Sequence, residues 1–205
     1  VREIYAINDA GLLPRTSFIK RNTKETSIFI NLNIDGTGNY NVDTGVKFFD
    51  HMLEQFAKHG QFDITVKSFG DLEIDQHHTI EDVAIALGEA FKSALGDRKN
   101  IERYSSNESL VMDETISNVS IDMASRTLLK MKTSKLREYV GDFPTEMFEH
   151  FFISFVNALN FTCHIETKGE NSHHIVEATF KSFTRALNKA LQRNNTNIAS
   201  TKGSL

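Results

Sequence analysis

Two short stretches contain the residue types best suited to chemistry. HHTIE begins at His77 and HHIVE begins at His173, so each first histidine is followed four residues later by a glutamate, Glu81 or Glu177. Residues four apart share one face of a helix. Each stretch can therefore offer an imidazole nitrogen and a carboxylate oxygen to one metal ion.

The second histidine of each pair points in another direction. Adjacent side chains on a helix diverge by roughly 100°, because a turn takes about 3.6 residues. We therefore expect His78 and His174 to serve a different ion from their neighbours. His51 and His150 stand at matching positions further upstream. Six histidines and two glutamates then divide evenly into two sites of three nitrogens and one oxygen. The diverging pairs place these sites between the two halves of the chain or between subunits, so we expect an oligomer.

This ligand set is compatible with more than one kind of metal chemistry. Four protein ligands leave two positions of an octahedral ion open to substrate or water, as a catalytic site requires. Nitrogen and oxygen ligands suit Mn, Fe, Co or Zn, and geometry decides among them. A binuclear hydrolase is one alternative, although its usual bridging carboxylate is not evident when each half has one matched carboxylate. A non-catalytic metal-storage oligomer is another.

The elements that position these residues occur twice. HHTIEDVAIALGEAFKSAL and HHIVEATFKSFTRALNKAL align at an offset of 96 residues, and their apolar positions recur at helical spacing. Upstream of each, a second helix is predicted with a stripe of phenylalanines, followed by an alternating strand that ends at Gly70 or Gly169. Each module therefore carries one upstream histidine and one histidine pair.

Further upstream, alternating segments predict a β-hairpin in each half. In the first half SIFINLNI and YNV are joined by DGTGN, and in the second SNVSIDM is followed by TLLKMK. The fold class is α+β: two tandem copies of a β-hairpin, helix, strand, helix module, with helices packed against mixed sheets. We expect an extension at 1–14, modules at 15–97 and 108–192, a linker at 98–107 and a tail at 193–205.

Composition excludes several classes of partner. The 205 residues carry a net charge of −4 with a pI near 6.1, which gives no basic face for nucleic acid and no attraction to an anionic membrane. The single Cys163 lies in an alternating run and is interpreted as a core residue. Neither a secretory signal nor an apolar run of membrane-spanning length is evident, so we expect a cytoplasmic protein.

Several motifs together resemble one enzyme family. They are TKET at Thr23, DGTG at Asp35, FDHMLEQFAKHG at Phe49, DLEIDQHHTIED at Asp71, MDET at Met112, VGDFPTE at Val140 and GENSHHIVEATFKSFTRAL at Gly169. The resemblance runs from about Arg15 to the C-terminus and is to the imidazoleglycerol-phosphate dehydratases of histidine biosynthesis. Two segments depart from the pattern: SSNESLVMDET lacks an expected glycine, and SRTLLKM replaces GRPYL.

The resemblance implies a metal-dependent hydro-lyase that converts imidazoleglycerol phosphate to imidazole-acetol phosphate. It also implies two Mn²⁺ per active site, which bind the substrate ring as an imidazolate, and a 24-subunit homo-oligomer with active sites at subunit interfaces. Some members carry a histidinol-phosphate phosphatase domain ahead of this region. The implied metal ligands are His51, His77, His78, Glu81, His150, His173, His174 and Glu177.

Other residues gain an implied role from the same resemblance. Acid–base catalysis is implied for Glu25 of TKET and Asp113 of MDET. Lys181 also has an independent argument, since it follows Glu177 by four residues where the first module has the apolar Ile85. Contacts to the substrate and its phosphate are implied for Gln55, Arg103, Arg126, Lys181, Ser200 and Lys202.

Overall fold

A computed structural model describes residues 13–194 and residue 200. The described part contains four long helices and ten strands. The helices are α1 (Lys47–Gly60), α2 (His77–Leu95), α3 (Glu146–Leu159) and α4 (Ser172–Leu191). The strands are β1 (Thr16–Asn22), β2 (Thr26–Asn33), β3 (Tyr40–Asp43), β4 (Asp63–Gly70), β5 (Tyr104–Met112), β6 (Thr115–Asp122), β7 (Leu128–Thr133), β8 (Tyr139–Val140), β9 (Phe143–Pro144) and β10 (Thr162–Lys168).

The two halves repeat the same sheet topology. The first sheet has the order β1-β2-β4-β3 and the second has the order β5-β6-β10-β7. In both, one edge strand pairs in parallel with the central strand that follows the first helix, and the other pairings are antiparallel. The α+β class with two tandem modules and mixed sheets is therefore confirmed.

The strands that form each hairpin differ from the prediction. β2 and β3 were expected to pair through DGTGN, but β2 pairs with β1 and β3 pairs in parallel with β4. The second half repeats this, because β6 pairs with β5 while β7 lies beside β10. Alternation predicts which face of a strand is buried but does not specify its partner, and β4 lies between β2 and β3. Asp63, at the start of β4, accepts the amide N–H groups of Thr37 and Asn39 in the loop 35–39.

The helices lie between the two sheets. Inward residues of β2 and β6 are buried at every second position, as the alternating sequence predicted. α2 covers the first sheet, α4 covers the second, α1 packs on α4 and α3 packs on α2. A phenylalanine-rich core fills the space between them, and Cys163 is fully buried within it. Among the described residues, no helix has the length and apolar content needed to cross a bilayer.

One strand begins inside the segment that the sequence presented as a linker. β5 starts at Tyr104, within 98–107, and a bulge between Ser105 and Glu108 shifts its register against β6. The bulge interrupts the alternation of buried and exposed residues, so the strand has no regular pattern in the sequence. The division of the chain into 15–97 and 108–192 remains a prediction.

Candidate metal centre

The first group of potential metal ligands joins α1 to α4. His51, His173 and Glu177 each place one ligand atom within 4.8 Å of the others. Glu177 Oε2 lies 2.8 Å from His173 Nε2 and 3.6 Å from His51 Nε2. The ring of Phe48 packs edge-on against His173, with centroids 5.1 Å apart, and forms an apolar wall beside the group.

The second group is the repeat equivalent of the first and joins α2 to α3. It contains His77, Glu81 and His150. The two carboxylate oxygens of Glu81 divide between the histidines, with Oε2 3.3 Å from His77 Nε2 and Oε1 3.2 Å from His150 Nε2. Each group therefore takes residues from both modules, because α1 packs on α4 and α2 packs on α3.

Local capping interactions orient the helix starts that carry these ligands. The Asn171 side chain accepts a hydrogen bond from the His173 amide, and Asp75 does the same for His77. At α1 the cap comes from the other module, since the Asp142 carboxylate accepts the amide N–H groups of Lys47 and Phe48. The VGDFPTE motif of the second module thus fixes the helix that carries His51.

The donor chemistry of both groups fits a divalent transition metal. Two imidazole nitrogens and one carboxylate oxygen are typical ligands of Mn, Fe, Co or Zn. Within one chain, however, each group supplies two nitrogens and one oxygen, not the three nitrogens and one oxygen expected from the sequence. The remaining nitrogens belong to His78 and His174, whose ring centroids lie 6.1 Å from those of His77 and His173.

His78 and His174 contact different carboxylates. His78 Nδ1 lies 3.0 Å from Asp71 Oδ2, and His174 Nδ1 lies 2.8 Å from Glu114 Oε2. The hydrogen bond that each histidine donates to its carboxylate raises the pKa of that histidine. Hydrogen bonds from His174 and from backbone amides hold the pKa of Glu114 well below its usual range.

The two candidate acid–base residues lie next to these outer histidines. Glu25 Oε1 is 3.8 Å from His78 Nε2, and Asp113 Oδ2 is 3.7 Å from His174 Nε2. Both carboxylates are solvent-exposed, Asp113 to 79% of its side chain. They therefore lie beside Nε2 of the two histidines that the three-residue groups do not include.

Lys181 and Gln55 lie close to the first group. Lys181 Nζ is 2.6 Å from Glu177 Oε1, in a nearly buried ion pair. Burial alone would raise the pKa of Glu177, but the hydrogen bonds from Lys181 and His173 outweigh it and lower that pKa. Gln55 Oε1 is 3.1 Å from His59 Nε2 on the next turn of α1.

Arg103 and Arg126 lie at the opposite end of the second module. Both approach Asp122, with Arg103 Nε 2.7 Å and Arg126 NH2 4.0 Å from its oxygens. The Arg103 amide donates to the carbonyl of Ala190, thirteen residues after Glu177 along α4. At about 1.5 Å per residue this is about 20 Å from the ligand group, so one chain does not unite these cations with its own histidines. Ser200 is half-buried, and Lys202 lies outside the described residues.

Sequence reasoning did not single out Asp71, Glu114 or Asp142. A signal for Glu114 exists, because aligning Thr26 with Thr115 at the start of β2 and β6 superposes TKET on MDET and matches Glu25 with Glu114. Asp71 and Asp142 have no such signal. Their roles depend on contacts between loops and helices that are distant in the sequence.

The fold and the two ligand groups define a duplicated α+β protein with a candidate metal-binding group at each helix seam. Residues 44–187, which contain all eight candidate metal ligands, match the family model for imidazoleglycerol-phosphate dehydratase. The chain belongs to the imidazoleglycerol-phosphate dehydratase family.

Curated relatives and solved structures agree with this assignment. The imidazoleglycerol-phosphate dehydratases of Thermoanaerobacter pseudethanolicus and Methylorubrum extorquens are 50% and 48% identical, and each alignment covers 93% of this chain and 100% of the relative. A histidine biosynthesis bifunctional protein of Stenotrophomonas maltophilia is 45% identical over 98% of this chain, which spans only 55% of that longer protein. The crystal structure of the Staphylococcus aureus dehydratase matches with a TM-score of 0.79 at 33% identity, over 87% of this chain and 99% of that one.

Proposed function

We propose that the protein is a metal-dependent hydro-lyase that dehydrates imidazoleglycerol phosphate to imidazole-acetol phosphate in histidine biosynthesis. The observation that carries this proposal is the pair of repeat-equivalent groups of two imidazoles and one carboxylate, formed by helices from both modules. Family membership supports the substrate and the reaction. A cytoplasmic location without nucleic-acid or membrane partners is part of the same proposal, and the acidic pI supports it.

The active site is composed of more than one subunit in this proposal. Each group of three ligands is completed by His78 or His174 of a neighbouring copy, which gives two Mn²⁺ per active site. Two features of the single chain support this arrangement: His78 and His174 lie outside both three-residue groups, and the Arg103–Asp122 region lies about 20 Å from Glu177. The assembly is a 24-subunit homo-oligomer, as the family resemblance implies.

The substrate proton to be removed is not adjacent to a carbonyl, so the imidazole ring must accept electrons. Two divalent cations at the ring nitrogens would stabilise its imidazolate form. Glu25 and Asp113 are the proposed acid–base groups, one for the proton that leaves carbon and one for the proton that the departing hydroxyl receives. Both lie beside His78 or His174. This placement supports the role, because in the proposed assembly those histidines would complete the site of a neighbouring copy.

Cationic side chains hold the substrate phosphate. Arg103 and Arg126 provide guanidinium groups suited to a phosphate, and Asp122 orients Arg103 through two hydrogen bonds. Lys181 provides a point charge next to the first ligand group, and Gln55 contributes a polar contact. Ser200 and Lys202 complete the proposed phosphate contacts from the C-terminal tail.

A direct assay tests this function. The protein is purified with Mn²⁺ and supplied with imidazoleglycerol phosphate, and the enolisable ketone product is followed with time. His77→Ala and His173→Ala each remove one ligand from a different group, so each should abolish metal loading, large-oligomer assembly and turnover. His164→Ala removes an exposed histidine of β10 and should leave all three unchanged.

The outcomes separate the parts of the proposal. No turnover by a parent protein that is loaded with metal and fully assembled would disprove the dehydratase function. Normal metal content and full assembly in either ligand variant would disprove the assignment of the two groups.

A further inference from the structure

The two histidines outside the ligand groups are oriented through the opposite ring nitrogen. Within the groups, Nε2 faces a glutamate that belongs to the same group. In His78 and His174 it is Nδ1 that approaches a carboxylate, Asp71 at 3.0 Å and Glu114 at 2.8 Å. An ionised carboxylate only accepts hydrogen bonds, so Nδ1 carries the proton. The lone pair of the neutral ring is then on Nε2, which lies 3.8 Å from Glu25 in His78 and 3.7 Å from Asp113 in His174.

We propose that Asp71 and Glu114 are positioning residues that fix the tautomer and ring orientation of His78 and His174, so that each presents Nε2 to a metal ion bound by a neighbouring subunit. This inference rests on the proposed function, because it requires metal sites completed between subunits. Metal-binding histidines commonly donate their second ring nitrogen to a carboxylate in this way, which also makes the imidazole a stronger ligand.

Glu114 is held rigidly for this role. Its Oε1 accepts hydrogen bonds from the amides of Glu170 and Asn171 and from the hydroxyl of Thr115. Oε2 is thereby left to face His174. The turn between β5 and β6 is tied to the start of α4 by these contacts, so the histidine and its carboxylate partner move as one unit.

Asp71 has fewer restraints. Both of its carboxylate oxygens approach His78 Nδ1, at 3.0 and 3.2 Å, and its amide donates to the carbonyl of Glu25. The two modules therefore restrain this carboxylate differently. In the second module three hydrogen-bond donors hold Glu114, whereas in the first module the loop backbone holds Asp71. We expect substitution of Glu114 to weaken metal binding more than substitution of Asp71.

The test measures metal affinity and assembly without relying on activity. Parent, Asp71→Asn, Glu114→Gln and Glu114→Ala are stripped of metal and titrated with Mn²⁺, and free Mn²⁺ is followed by its electron paramagnetic resonance signal while light scattering reports particle mass. Loss of such a hydrogen-bonded carboxylate typically weakens metal binding about 10–100-fold. We expect losses in that range, larger for Glu114→Ala than for Glu114→Gln, because glutamine keeps a hydrogen-bond acceptor.

Two controls separate positioning from a merely structural role. Glu170→Gln and Glu73→Gln make the same chemical change at exposed neighbouring positions and should bind Mn²⁺ as the parent does. Thermal unfolding of the metal-free proteins should not differ between Asp71→Asn, Glu114→Gln and the parent. A metal-free Glu114→Gln that unfolds well below the parent would overturn the proposal in favour of a structural role.

The remaining outcomes distinguish this inference from the proposed function. Variants that bind Mn²⁺ within twofold of a catalytically active parent overturn the positioning role alone. A parent that binds Mn²⁺ and assembles but does not dehydrate the substrate overturns the proposed function, while weaker binding by the variants still supports positioning. A parent that binds no Mn²⁺ overturns both.

Discussion

At the scale of single residues, the same side chain type serves in two settings. In His77 and His173, Nε2 approaches the glutamate four residues later, Glu81 or Glu177. In His78 and His174, Nδ1 instead approaches a carboxylate outside the helix, Asp71 or Glu114. A helix makes neighbours diverge, and the second histidine then meets whichever loop packs beside it. The repeat thereby provides two imidazoles that belong to the ligand groups and two that lie outside them.

A buried carboxylate elsewhere gives a pH prediction. Burial would raise the pKa of Glu108, but hydrogen bonds from Lys189 and Arg185 outweigh it and lower that pKa. A carboxyl group whose pKa is lower in the folded than in the unfolded protein stabilises the fold at any pH above its unfolded-state pKa. This stabilisation is lost as the pH falls through the folded-state pKa. Glu108→Gln should therefore reduce the free energy of unfolding by about 1–2 kcal/mol at pH 7, and the difference from the parent should shrink at pH 4.

Urea unfolding at both pH values measures this effect. Glu166→Gln provides the matched control, since Glu166 forms an exposed pair with Lys168 that should contribute little. If Glu108→Gln loses as much free energy of unfolding relative to the parent at pH 4 as at pH 7, the electrostatic explanation is wrong.

At the scale of secondary structure, the ligand groups depend on how closely helices approach. α2 crosses α3 at Gly88, where a Cβ atom would lie 2.7 Å from Ala158 Cβ and 2.8 Å from the Phe155 carbonyl oxygen. Both of those neighbours belong to α3, the helix that carries His150. The missing side chain therefore sets the spacing at which His150 meets Glu81.

Gly88→Ala tests this close approach. In a helix, alanine is more favourable than glycine by about 1 kcal/mol. The close contacts at this crossing should outweigh that gain, so that the free energy of unfolding falls by about 1–3 kcal/mol. Ser93→Ala, at an exposed position of the same helix, should leave stability unchanged or slightly raised. Thermal and urea unfolding measure both, and a Gly88 variant more stable than the parent would show that the helices can separate at no cost.

At the scale of the whole molecule, one chain does not bring all of the candidate site residues together. Its ligand groups have three members each, and its phosphate-binding candidates Arg103 and Arg126 lie at the far end of α4. Completion by neighbours would make metal binding and assembly a single coupled process.

Mixing two inactive variants tests shared sites. His78→Ala/His174→Ala removes both outer histidines and leaves the two groups intact, whereas His51→Ala/His150→Ala damages both groups and leaves the outer histidines intact. Neither should bind Mn²⁺ tightly alone. Co-expressed, they should form oligomers with some complete sites and recover tight Mn²⁺ binding and turnover. If the co-expressed variants bind Mn²⁺ as weakly, and turn over as little, as each variant alone, the sites form within single chains.

The sequence by itself determined which side chains belong to the candidate site and the class of fold. The histidines and glutamates were found because the repeat returned them at fixed offsets, and helical and strand periodicity are local properties of the chain. The phenylalanine stripes and buried alternation of β2 and β6 followed from the same local rules. Family motifs then extended the prediction to Glu25 and Asp113.

Only the tertiary structure decided which residues meet. His51 joins Glu177, and His150 joins Glu81, because α1 packs on α4 and α2 on α3. β4 rather than β3 lies beside β2 because strand pairing is a contact between distant segments, which alternation alone does not specify. The contacts of Glu114 and Asp71 with their histidines have the same physical basis. Hydrogen bonds between loops and helices depend on how these elements pack, and the local sequence pattern does not specify that packing.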